Sequence, residues 1–70
     1  MTDYFIYDRA NNTLVRFSTG DIIIYGSEEE AIEDLYGNEE VVQYNDLPKD
    51  KRKEILKQIT NDKARFHMAL

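Results

Sequence analysis

Apolar positions along this chain fall into short blocks separated by polar turns. Tyr4-Phe5-Ile6-Tyr7 is aromatic and β-branched with no helical spacing, and predicts a strand. Asp8 to Thr13 follows as a turn: Asp suits the opening position of a type I turn, and Asn tolerates a positive φ where it closes. Leu14-Val15-Arg16-Phe17 predicts a second strand, joined to the first as an antiparallel hairpin through a four- or five-residue loop. After the turn cluster Ser18 to Asp21, Ile22-Ile23-Ile24-Tyr25 predicts a third strand. Three adjacent isoleucines cannot share one side of a sheet, so both of its faces are expected to be covered.

The period then changes. Ser27 with Glu30 has the spacing of a capping box, three glutamates in the first turn complement the helix dipole, and Ala31, Ile32, Leu35 and Tyr36 form one stripe. Gly37 suits a left-handed stop. Val41 to Tyr44 predicts a short fourth strand. Asn45, Asp46 and Pro48 mark the start of a second helix, whose stripe is Leu47, Arg52, Ile55, Leu56 and Ile59. Asn61-Asp62 offers an end near Thr60, yet Phe66, seven residues after Ile59, continues the stripe; residues 63–70 are expected to extend the helix or form a mobile tail. The order β-β-β-α-β-α predicts one α+β domain over residues 1–70: a small, mostly antiparallel sheet with two helices packed on one face. Ile22, Ile24, Ile32, Leu35, Ile55, Leu56 and Ile59 are the expected core.

Length makes that core thin. Seventy residues bury only about 60% of the surface the unfolded chain exposes, and with no cysteine there is neither a disulfide staple nor a thiolate metal cluster. Self-association is the remaining staple. Five tyrosines point the same way, because a ring with a polar tip suits an interface. Tyr4, Tyr7, Tyr25 and Tyr44 are the candidate self-association face of a homodimer; the plainer reading has them capping the core. The opening Met-Thr-Asp-Tyr is not a signal peptide, and the longest apolar run is far too short for a membrane span, so the cytoplasm is the expected location and no membrane partner is expected.

Charge gives the chain two ends. Through residue 46 there are eleven acids against two bases, a net of −9; from residue 47 there are seven bases against three acids, a net of +4. The acidic block from Glu28 to Glu40 reads plainly as a solvated face that complements the helix dipole, and more sharply as a docking face for a basic protein, with Glu29, Glu33, Asp34, Glu39 and Glu40 as its candidate residues. Direct nucleic-acid binding through the bases from Lys49 to Lys57 is disfavoured, since the acidic half repels a phosphate backbone.

Candidate chemistry is sparse. The one histidine, His67, lies near the C-terminus, Ser18 sits in a turn and Ser27 serves as a cap, so no nucleophile–base pair is predicted. Asp8 to Asn12 starts like a calcium loop, but Ala10 stands at a ligand position and Thr13 where the glycine is needed. No cofactor or metal is expected. The sequence therefore predicts a non-catalytic protein-binding module, an inhibitor or adaptor, acting through an acidic surface, with a structural homo-oligomer as the alternative.

Overall fold

The computed structural model describes residues 3–68, with side chains through residue 61. It is an α+β structure of three antiparallel strands and two helices: β1 (Tyr4–Asp8), β2 (Thr13–Leu14), α1 (Glu28–Glu33), β3 (Glu40–Gln43) and α2 (Lys49–Met68). β1 lies between β2 and β3, pairing Tyr7 with Leu14 on one side and Phe5 with Val42 on the other. The central strand is thus the aromatic one, where bulky rings pack best on a pleated surface.

The first hairpin turns through Arg9–Asn12, a four-residue loop as predicted. Asn12 takes φ +53°, the Asp8 carboxylate accepts from the Asn11 backbone and side-chain amides, and the Tyr7 hydroxyl donates to Asn12 Oδ1 at 2.6 Å. Asn12 Nδ2 in turn donates to Asp50, tying the loop to the start of α2.

Two predicted strands are shorter than their composition suggests. The second stops at Leu14, and Phe17 stands exposed in the turn that follows. Ile22–Tyr25 is no strand: it forms two isolated bridges, Arg16 with Ile22 and Tyr4 with Tyr25. The cause is a change of partner along the segment. Tyr25 exchanges both backbone bonds with Tyr4 at 2.9 Å, Ile23 N–H donates to Val15, and Ile22 is held by a side chain. Gln58 of α2 accepts from Ile22 N–H at 2.6 Å and donates to Ile22 C=O at 2.9 Å, so its amide takes the place of a neighbouring strand.

The helices pack on opposite faces of the sheet, not on one as the sequence predicts. Alternation along β1 explains it. Phe5 and Tyr7 point to the side where Leu14, Ile22, Val42, Leu47 and Ile55 close the larger core, with Tyr44 and Ile59 against it. Ile6 points to the other side, where Tyr25 and Ala31 form a smaller core bordered by Tyr4, Val15, Ile23 and Val41. Each helix therefore has its own face of the sheet to cover.

Ser27 caps α1, its Oγ accepting from Glu30 N–H at 3.2 Å, a bond that contributes about 1 kcal/mol. Only that half of the capping box forms. The helix ends at Glu33, before its apolar stripe is complete. Gly37 does adopt φ +60°, but within the turn closed by Glu39 N–H on Tyr36 C=O, beyond the helix. A helix of six residues touches the sheet through Ala31, whose small side chain allows close approach; Ile32, 100° further round, and Leu35, past the last turn, are left exposed. On α2 the sheet takes Ile55 and Ile59 and leaves Leu56 outside. Of the expected core, Ile22 and Ile55 are buried and Ile59 partly so, while Ile24, Ile32, Leu35 and Leu56 are exposed.

α2 runs to Met68, so residues 63–68 continue the helix. The mobility expected of 63–70, the packing expected of Phe66 and the surroundings of His67 fall outside the described residues and side chains.

Candidate functional site

The acidic block divides into engaged and outward-facing groups. Asp34, at the C-terminal cap of α1, accepts from the Tyr25 hydroxyl at 2.9 Å. Glu39 accepts from Tyr36 N–H at 2.9 Å, and Glu40 pairs with Arg9, which also lies 5.6 Å from the centre of the Tyr7 ring. These three carboxylates have partners within the chain, Asp34 and Glu39 beside α1 and Glu40 on β3. Glu29 and Glu33 are exposed on the helix with no ion pair among the described residues, as are Glu28 and Glu30.

Between these acids stand the apolar side chains that the sheet does not cover. Ile32 is 51% and Tyr36 84% exposed, with Leu35 between them at 37%. Leu35 N–H donates to Ile32 C=O, so the chain still turns just past the helix, and the three side chains fall within five consecutive residues. The result is an apolar strip of three large residues with carboxylates around it. The strip is legible in the sequence as a helix stripe; its exposure is not, since the signal for it is the early end of the helix.

The four candidate interface tyrosines do not share one surface. Tyr7 is buried in the larger core and Tyr44 packs at its edge, while Tyr25 is buried in the smaller core with Tyr4 at its border. The fifth, Tyr36, is the exposed one. Burial pushes the Tyr25 hydroxyl up to about 12, helped by its bond to Asp34 and by the charges of Asp34 and Glu39.

That shift has a pH consequence. In the unfolded chain the Tyr25 hydroxyl ionises near its ordinary value of 10, while the fold holds it neutral to about 12. Its contribution is complete below pH 10 and is lost as pH rises from 10 to about 12, because ionisation then favours the unfolded chain. Thermal unfolding across this window should show the native protein losing stability more steeply than Tyr25→Phe. Parallel curves would show that another group titrates there.

A concave feature lies where the 16–21 turn meets α2. Arg16, Gly20, Asp21, Glu54, Lys57, Gln58 and Asn61 line an open groove of about 280 Å³. Much of its polar capacity is spent internally: Arg16 donates to Gly20 C=O at 2.8 Å and to Glu54 at 2.7 Å, Lys51 reaches Glu54 at 2.7 Å, and Gln58 holds Ile22. The groove reads as a brace between turn and helix. Among the described residues no group of three or more His, Asp or Glu is placed to hold a metal ion, and no helix is long and apolar enough to cross a membrane. Comparison of the chain with protein-family models, with curated proteins and with solved structures finds no match.

Proposed function

We propose that the protein is a non-catalytic binding module that engages a basic protein surface through α1 and the turn after it. The observation that carries this reading is the exposure of Ile32, Leu35 and Tyr36 within five consecutive residues. Large apolar side chains grouped on a surface and rimmed by polar residues mark contact sites, and a tyrosine ring offers wide contact area with little rotamer entropy to lose. The carboxylates around them add selection. They raise the encounter rate with a cationic partner and repel acidic ones, nucleic acid included. In this arrangement the apolar strip supplies affinity and the acids supply choice of partner, as an inhibitor or adaptor requires.

The test is capture of a partner from source-cell extract on immobilised protein. Ile32→Ser/Tyr36→Ser and Glu29→Lys/Glu33→Lys should each lose what the native protein retains, while Thr19→Lys, in the distant turn, should retain it. Asp34 is spared because it holds Tyr25. Equal capture by native protein and both double variants would sink the reading.

A further inference from the structure

The two helices carry the same surface pattern with opposite charge. On α1 it is Glu28-Glu29-Glu30-Ala31-Ile32; on α2 it is Arg52-Lys53-Glu54-Ile55-Leu56. In each, the fourth residue is buried against the sheet and the fifth stands half exposed, Ile32 at 51% and Leu56 at 50%. The first two residues lie four and three positions before that apolar side chain, one turn away on the same side. On α1 they are acids and on α2 they are bases. Lys49, seven residues before Leu56, adds a further cation to that side of α2.

These charges are uncommitted among the described residues. Glu28, Glu29, Lys49, Arg52 and Lys53 form no ion pair among the described residues, whereas Lys51, on the other side of α2, is held by Glu54. Nor do the patches meet each other, because α1 and α2 cover opposite faces of the sheet.

We propose that the basic surface α1 engages is α2 of a second copy of this chain, Ile32 and Tyr36 packing on Leu56 between facing rows of acids and bases. The proposal rests on the reading of α1 as a contact surface and names its occupant. Sign decides the geometry. Two α1 patches would oppose acid to acid, and two α2 patches base to base, so a symmetric dimer through either is repelled while the mixed contact is attracted. A mixed contact leaves one α1 and one α2 unoccupied on each pair, so assembly is head-to-tail and continues past the dimer, as a ring if the rotation between copies closes and as an open chain if it does not. A patch of this size belongs with weak, transient interfaces, and association should depend on concentration.

Sedimentation velocity of the full chain tests it, using two variants whose changes lie on exposed positions and whose folding is checked by circular dichroism. Ile32→Ser/Tyr36→Ser disables α1, and Lys53→Glu/Leu56→Ser disables α2. The native protein should form species beyond a dimer as concentration rises. Its association constant should fall about tenfold between 0.1 M and 1 M salt, as the screening length shortens from about 10 Å to 3 Å. Each variant alone should stay monomeric, and their equimolar mixture should give a one-to-one complex that grows no further. A native protein monomeric at every concentration overturns the proposal; if Ile32→Ser/Tyr36→Ser then still abolishes capture of a separate partner, the reading of α1 survives with a different occupant. Association that persists in either variant alone, or a mixture that forms no complex, also overturns it.

Discussion

Phe5→Ala should lower stability by about 3–5 kcal/mol and leave much of the protein unfolded at room temperature. Phe5 is fully buried at the centre of the larger core, on the central strand, opposite Val42 of β3. The core it belongs to draws Leu14 and Val42 from the neighbouring strands and Ile55 from α2, so the void would lie between several elements. A domain of this length holds a total of only about 5 kcal/mol, comparable with the loss. Phe5→Leu, which keeps most of the volume, should cost less than about 1.5 kcal/mol. Urea unfolding followed by circular dichroism distinguishes them: the Ala variant should lack a native baseline and the Leu variant should keep one. A Phe5→Ala protein with a near-native midpoint would place the core elsewhere.

Ile55→Ala should cost about 2–5 kcal/mol, and Leu56→Ala, one residue on, under about 0.5 kcal/mol. The two side chains are nearly equal in volume and apolarity, so transfer from water alone would treat them alike. They differ in direction. Ile55 is 1% exposed in the core beneath β1, while Leu56 projects beside α2. Paired melting curves in one buffer give the comparison. Equal losses would mean that α2 is rotated about its axis from the orientation described.

Such pairs show where sequence reasoning reaches and where it stops. Strand β1, the turn closed by Asn12 and the Ser27 cap were legible because each rests on local chemistry: β-branched and aromatic packing, tolerance of a positive φ, and an oxygen placed for an orphan N–H. The class, α+β with an antiparallel sheet, follows from their order. Burial was less legible because it depends on which side of a helix the sheet takes. Periodicity marked Ile55, Leu56 and Ile59 as one stripe, but the contact is narrower than the stripe. Ile22–Tyr25 has the composition of a strand, yet its backbone partners change from Val15 to Tyr4, and Ile22's own N–H and C=O are taken by Gln58, a side chain 36 residues away that no local pattern reveals. The acidic block was legible as charge; that Asp34, Glu39 and Glu40 serve internal bonds while Ile32 and Tyr36 face outward emerged only from the fold.

Thermal unfolding of Ile32→Ser/Tyr36→Ser tests most directly the claim that these residues stand on the surface for contact and not in the core. Loss of exposed side chains should move the melting temperature by no more than about 8 °C, since each of the two surface changes stays near 0.5 kcal/mol and each kcal/mol shifts a domain of this size by about 4–8 °C. A fall of about 10 °C or more, with the cooperative transition broadened, would show that Ile32 and Tyr36 hold the fold together and would contradict the account.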